Sequence, residues 1–542
     1  MGDAVAEEEI LPKDIDRIKK EIEGRTLWPY VEGAKLLKRY NYDTEHTYTF
    51  ESGFGPSGFP HIGTFGEVVR TGFIISALKE FGFKTKLIAF SDDLDGLRKV
   101  PEGMPEWLKD HLGRPVSAIP DPFGEEESFS AHMNGRLKNL LDWIGVDYQF
   151  ISSKEAYESG LFDEGIKTLL ANTTKLESII LPTLSEETRK SWHPFFPICE
   201  NCGRNLTTTV TNIDLNEYSV DYVCGKDQEV IKGCGHQGTQ TALAGHGKMT
   251  WRVDWPLRWQ SLKIDYELYG KDLIDSFTVG KKIMGGIFNA KGPENMFYEM
   301  FLDEDGTKIS KSKGKGLTVE SWLKYGTLES INLLMYRKPR KAKELSYRII
   351  PTYVDDVTSI HKDYEEKGKP AEHDFNFIRS DKSDGHGYPD VSYMLVCNLM
   401  AALKSTDREI IKSYLTRQTD IADKHLEGTF LEELITKGKA FYEDFVSASK
   451  EPLILSPEDI SLLEKVIEML QVEQTAEEIH DGIYEIANSS GILPKDLFRT
   501  LYLVLIDHSR GPRLGGFIKM IGEDRAAEVI KEKIAEADKA GL

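Results

Sequence analysis

Between Ile10 and Asn41 apolar residues recur every three to four positions, at Ile10, Ile15, Ile18, Ile22 and later Leu36 and Leu37, among lysines and glutamates. That period is one face of an amphipathic helix. The pattern then shortens. Tyr48-Thr49-Phe50 reads as a strand that stops at Ser52-Gly53-Phe54-Gly55-Pro56-Ser57-Gly58-Phe59-Pro60, where glycine and proline let neither strand nor helix continue. From His61 to about Gly82 the helical period returns, with Ile62, Phe65, Val69, Phe73 and Leu78 as its buried stripe. Thr85–Phe90 predicts a second strand, ending in Ser91-Asp92-Asp93. Strand, loop, helix and strand over roughly forty residues form a βαβ unit, which requires a parallel sheet covered by helices.

A further helix near Phe129–Ile144 feeds an expected strand at Tyr148–Ile151. Residues 185–247, rich in Thr, Asn, Gly and Cys, break the alternation and read as an inserted module. Strand-like Tyr266–Tyr269, helical Asp275–Ile287 and strand-like Met296–Leu302 resume it. From about Val354 onward the chain reads as helices, interrupted by a polar stretch, Glu365–Pro389, expected to be a long exposed loop.

At 542 residues the chain exceeds one ordinary domain, and three or four are expected at ~100–200 residues each. With 68 Lys+Arg against 89 Asp+Glu the net charge is −21, which excludes a uniformly basic nucleic-acid binder but not local basic patches. The apolar run Leu501–Ile506 is far short of the ~20 residues of a membrane helix. Met1–Glu9 has no secretory pattern, and Ala6 stands where a myristoylation signal wants Ser or Thr, so a cytoplasmic protein is expected. Five cysteines are no disulfide framework, but four of them fall between Cys199 and Cys234.

The sharpest chemistry lies in Gly55-Pro56-Ser57-Gly58-Phe59-Pro60-His61-Ile62-Gly63-Thr64, placed where the first strand meets its helix, the ligand crevice of such sheets. Small residues let a ligand approach the backbone, a helix start offers N–H groups to phosphate, and an imidazole donates to a phosphate oxygen. Far downstream, Lys308-Ile309-Ser310-Lys311-Ser312-Lys313-Gly314 follows the turn Asp303-Glu304-Asp305-Gly306 and reads as a cationic clamp for a polyphosphate. Either run alone is commonplace, as a chance histidine in a turn or a solvated lysine loop. Their pairing in this order is not.

Together the two runs resemble the paired signatures of class I aminoacyl-tRNA synthetases, written HIGH and KMSKS, with Thr64 in place of the last histidine. Glu51–Gly58, Trp251-Arg252-Val253-Asp254-Trp255-Pro256, Gly270-Lys271-Asp272-Leu273 and Tyr336-Arg337-Lys338-Pro339-Arg340 narrow the likeness to the class I lysyl-tRNA synthetases. The resemblance implies an α/β fold: a Rossmann-type parallel-sheet catalytic domain with a zinc-binding insertion, followed by an all-α C-terminal domain. The expected divisions are an N-terminal helical extension (1–46), two catalytic halves (47–184 and 248–320) around the insertion (185–247), a connecting stem (321–353) and an anticodon-binding domain (354–542).

It further implies ATP-dependent ligation of L-lysine to tRNA(Lys) through lysyl-adenylate, with Mg2+ as cofactor and no obligate protein partner. On that implication His61, Lys308 and Lys311 are catalytic, and Gly58, His61, Gly63, Thr64, Lys308, Ser310, Lys311 and Ser312 hold ATP. Glu51, Gly53, Gly55, Trp251 and Asp254 would contact lysine. Glutamyl-type relatives carry an arginine ten positions before the signature histidine. Here that position is Glu51, whose carboxylate would repel glutamate and attract an ammonium. The plainer alternative is that Glu51 pairs with a structural lysine or arginine. Competing functions are a glutamyl-type synthetase, a nucleotidyltransferase acting on a small metabolite, and a tRNA-binding factor without catalysis.

Cys199-Glu200-Asn201-Cys202-Gly203 has zinc-knuckle spacing, and with Cys224, Cys234 and His236 gives five candidates for four tetrahedral positions around a structural Zn2+. Cys397, in the apolar Met394–Leu403, is expected in a core. Glu106, Asp110 and His111 share one helical face, which a solvated surface explains as well as a second metal site. Arg337, Lys338, Arg340, Lys341, Lys343 and Arg348 form a basic run suited to the phosphates of a tRNA acceptor arm.

Overall fold

The computed structural model describes residues 15–225, 227, 230–303, 306–307, 317–380, 388, 391–418, 430–449 and 453–539. The second signature run, including Lys308, Ser310, Lys311 and Ser312, lies outside the described residues. The chain forms two compact units, Met1–Val319 with Met335–Leu345, and Glu320–Leu334 with Ser346–Leu542.

In the first unit the expected N-terminal helix is two helices, α1 (Ile15–Gly24) and α2 (Trp28–Arg39), because Pro29 fits only the first turn of a new helix. The first βαβ unit follows as β1 (Tyr48–Phe54), α3 (Ile62–Glu80) and β2 (Thr85–Ser91), then α4 (Phe129–Ile144) and β3 (Gln149–Ser152). Short helices lead to the insertion, whose strands are β4 (Phe195–Pro197), β5 (Thr208–Asp214), β6 (Ser219–Cys224), β7 (Gln237–Thr241) and β8 (Gly247–Met249). Its β5–β6–β7 sheet is antiparallel, and β8 closes it by pairing antiparallel with β4. The α/β pattern resumes with α5 (Trp251–Leu262), β9 (Tyr266–Gly270), α6 (Ile274–Gly286) and β10 (Glu294–Tyr298).

The central sheet runs β10-β9-β1-β2-β3 with every neighbouring pair parallel. Strand order reverses beside β1, so the crevice for a ligand opens at the carboxyl ends of β1 and β9. Successive residues of β1 face opposite helix layers, as the pleat demands. Glu51 meets Arg258 of α5, whereas Ser52 meets Glu67 of α3. The expected strand Met296–Leu302 is instead two. β10 stops at Tyr298, and β11 (Phe301–Leu302) pairs in parallel with β12 (Lys343–Glu344).

Within the expected stem at 321–353, Met335–Leu345 belongs to the first unit. Trp28 Nε1–H donates to the Tyr336 carbonyl at 3.0 Å, and the Tyr336 ring packs edge-on against Phe73. Among its described residues the second unit has helices and no strand, with Cys397 fully buried in the helix Tyr393–Leu403. Two of its helices, Pro457–Met469 and Ala476–Ser489, start with reciprocal capping boxes, Ser456 with Asp459 and Thr475 with Glu478. The expected loop Glu365–Pro389 contains a helical turn, Phe375–Ile378, that buries Phe375, Phe377 and Ile378. Among the described residues no helix is long and apolar enough to cross a membrane.

Candidate active site

His61 is the N-cap of α3. Its Nδ1 accepts from the backbone N–H of Gly63 at 3.0 Å and of Thr64 at 3.2 Å. The neutral ring therefore carries its proton on Nε2, and two of the N–H groups expected for phosphate are committed to the imidazole. Gly63 makes this cap possible: an added Cβ would lie 2.7 Å from the ring. Gly53, Gly55 and Gly58 differ, since a Cβ at any of them would meet nothing within 4 Å. Their smallness answers to open space at the crevice rather than to packing.

Six residues beyond His61, in the second turn of α3, lies Glu67. Its carboxylate is half-buried and accepts from Ser52 Oγ at 2.8 Å, from the Gly53 N–H at 3.1 Å and from the Tyr298 hydroxyl at 2.6 Å. It thereby joins the ends of β1 and β10. Burial first, and Glu67 second, push the Tyr298 phenol well above its ordinary value, so it stays a donor.

The α5 side of the sheet is a closed layer of charge. Arg258 lies 3.2 Å from Glu51 through Nε and 2.8 Å from Asp92 through Nη1, with its guanidinium over Phe90 and Trp251 at 4.4 and 5.4 Å. Glu51 is 0% exposed and its carboxylate stands beside a buried arginine, the arrangement of the plainer alternative. Asp254, also fully buried, accepts from the Tyr157 hydroxyl and lies 3.8 Å from Lys248. The pleat turns Glu51 into this layer, and the first turns of α5 keep Asp254 within it.

Burial lifts Glu51 to about 7 against the pull of Arg258, and lifts Asp92 to about 6 in the same way. Burial works against the Lys248 ammonium, but Asp254, Asp95 and Asp92 outweigh it and hold it above its usual range. Beneath β1 and β9, four buried carboxylates (Glu51, Asp92, Asp254 and Glu267) therefore meet two buried cations, Lys248 and Arg258. Asp93 is structural, accepting from Ser152, Ser153 and the Lys154 N–H, while Asp95 takes the Lys248 ammonium.

Sequence reasoning missed Glu67, Tyr298, Lys248 and Arg258. Helical spacing offered two of them, since Glu67 follows Thr64 by three residues and Arg258 follows Asp254 by four. Nothing local marks Lys248 or Tyr298. In the basic run, Arg340 pairs with Glu32 at 3.2 Å, and burial, with the nearby Arg70 and Arg337, lowers Lys343 to about 7.

In the insertion the five metal candidates reduce to four. The Sγ atoms of Cys199, Cys202, Cys224 and Cys234 all lie within 4.8 Å of one another. The Cys199–Cys234 and Cys202–Cys224 separations are both 3.7 Å. Four sulfurs ~2.3 Å from a tetrahedral Zn2+ would stand about 3.8 Å apart, whereas a disulfide needs about 2 Å. His236 stands outside the cluster, its Nε2 3.9 Å from Glu200. Thr207 Oγ1 lies 3.1 Å from Cys224 Sγ and Asn201 Nδ2 3.5 Å from Cys234 Sγ, the outer contacts a thiolate set needs. Glu106, Asp110 and His111 form no such group; Glu106 pairs with exposed Lys109.

A family model described as tRNA synthetases class I (K) matches residues 26–379. The chain is 37% identical over 521 residues to a lysine–tRNA ligase of Rickettsia bellii, covering 94% of this chain and 98% of the relative. It is 36% identical over 519 residues to that of Rickettsia felis, covering 94% and 97%. Among solved structures, a glutamate tRNA ligase from Elizabethkingia meningosepticum aligns over 90% of this chain and 99% of that one, at 14% identity and a TM-score of 0.38.

Proposed function

The chain belongs to the class I (K) tRNA synthetase family, and from that premise we propose that it joins L-lysine to tRNA(Lys) with ATP, through lysyl-adenylate. What supports the choice of amino acid, beside the likeness to lysine–tRNA ligases, is the half-buried Glu67 carboxylate at the crevice, which accepts from Ser52, the Gly53 N–H and Tyr298. A carboxylate there favours a substrate bearing ammonium groups and disfavours glutamate.

The lysine carboxylate attacks the α-phosphorus of ATP and pyrophosphate leaves. A terminal ribose hydroxyl of the tRNA then attacks the adenylate carbonyl and AMP leaves. The substrates supply both nucleophiles, so catalysis is positioning and neutralisation of phosphate charge. Gly58, His61 and Thr64 would line the phosphates at the start of α3. Lys308 and Lys311, with Ser310 and Ser312, would neutralise the departing pyrophosphate. Mg2+ enters with ATP and supplies charge neutralisation at the phosphate oxygens.

Gly53, Gly55 and Trp251 would bound the lysine. Glu67, which already grips the Gly53 N–H, replaces Glu51 as the carboxylate within its reach. Glu51 and Asp254 would act from beneath as fixed field. Cys199, Cys202, Cys224 and Cys234 fit a structural Zn2+ that holds the insertion together. The helical residues 354–542 would read the anticodon, and a cytoplasmic location follows from the use of tRNA.

Aminoacylation and ATP–pyrophosphate exchange with each amino acid, with and without tRNA, test the reading. Exchange or charging that follows glutamate, or that never responds to tRNA, would overturn it. Metal analysis tests the zinc: stoichiometric Zn2+ is expected in wild type and His236→Ala, and its loss with a lower Tm in Cys199→Ser.

A further inference from the structure

One buried charge on α3 has no part in the roles above. Arg70 stands one turn beyond Glu67 and is 1% exposed. Its Nε–H donates to the Met335 carbonyl at 3.1 Å, and among the described residues its buried Nη1 has no hydrogen-bond partner. Gly66 makes room for it, since an added Cβ there would lie 2.9 Å from Nη1 and 2.7 Å from Met335 Sδ. A guanidinium kept dry with an unmet donor is costly, and an apolar side chain would pack there more cheaply.

What the charge faces is aromatic. Its Cζ lies 4.7 Å from the centre of the Tyr298 ring and 5.7 Å from that of Phe301. The hydroxyl of that same Tyr298 donates to Glu67, whose other oxygen accepts the Gly53 N–H. A cation over a phenol ring fixes the ring plane and polarises the O–H toward donation. Burial draws Arg70 down to about 10, with Tyr298 and Glu67 opposing, so it remains charged near neutrality.

We propose that Arg70 is a positioning residue for lysine recognition, holding the Tyr298 ring so that its hydroxyl fixes the Glu67 carboxylate beside Gly53. The inference rests on the assignment of Glu67 to the substrate ammonium. Arg70 itself touches no substrate.

The test is a double-mutant cycle in steady-state aminoacylation, with Arg70→Met, Tyr298→Phe and the pair. Arg70→Met is expected to raise the lysine KM about tenfold, the scale of one hydrogen bond to a charged group, with the ATP KM unchanged and kcat within about threefold. The double variant should be no worse than the worse single variant, and Arg70→Lys should recover part of the loss. A lysine KM within about twofold of wild type in Arg70→Met, or single effects that multiply in the pair, would overturn the inference. If Arg70→Met does not fold, Arg70→Lys takes its place in the cycle. A raised lysine KM in Tyr298→Phe with none in the Arg70 variant sinks the inference alone. A wild-type lysine KM in Tyr298→Phe overturns the inference as well, while an unchanged lysine KM in Glu67→Gln would overturn the assignment of Glu67 on which it rests.

Discussion

The two faces of β1 use their carboxylates in opposite ways. On the α3 side Glu67 is half-buried and accepts from two hydroxyls and a backbone amide. On the α5 side Glu51, Asp92 and Asp254 are shut in with Arg258 and Lys248. A carboxylate that must exchange partners with a substrate at every turnover needs access and donors it can share. One locked to a guanidinium in a dry layer sets a field and holds a fold, but cannot follow a ligand. The side of the pleat, not the residue type, separates the two tasks.

The sharpest way to break this contrast is Arg258→Met. It strips the cation from Glu51 and Asp92 and leaves both buried, so stability should fall by about 3–5 kcal/mol in urea unfolding, the cost of breaking a buried pair. An unchanged unfolding midpoint would mean that the layer does not depend on its arginine.

Next in size is the comparison of Glu67→Gln with Glu51→Gln. Glu67→Gln should raise the lysine KM by about 10- to 100-fold, corresponding to the ~1.5–3 kcal/mol of a charged hydrogen bond, and leave the ATP KM alone. Glu51→Gln should move the lysine KM no more than about threefold and show its effect in stability instead. The reverse outcome would return the ammonium to Glu51.

The smallest expected effect is in pH. Glu51 and Asp92 are raised to about 7 and about 6, so the folded state holds their protons more tightly than the unfolded chain does. Their contribution to stability is therefore fully present below the ordinary carboxylate range, and is lost as pH rises through about 6 and then about 7. Urea unfolding between pH 5 and 8 should show this decline, and Glu51→Gln should flatten its upper part. A variant as steep as wild type would place the titration elsewhere.

Much of the architecture was legible from residues alone. The βαβ start, the Gly/Pro loop at its switch point and the helical second half follow from short-range periodicity, because helix and strand repeats are local consequences of burying one face. The resemblance carried by Gly55–Thr64 and Lys308–Gly314 reached the family, since those residues bear their chemistry in their own spacing. Cys199 and Cys202 were legible for the same reason.

What only the tertiary structure decided is which groups meet across long stretches of chain. Glu51 finds Arg258 and not open space because the pleat turns it toward α5, and a one-residue change of phase would have sent it to α3. Tyr298 reaches Glu67 from 231 positions away because β10 stops at the crevice. Cys234 completes the thiol cluster and His236 does not, because the antiparallel pairing of β6 with β7 sets which of two nearby side chains comes within tetrahedral reach. Sequence spacing fixes local geometry, but partners this far apart are chosen by register and packing, which no window of residues contains.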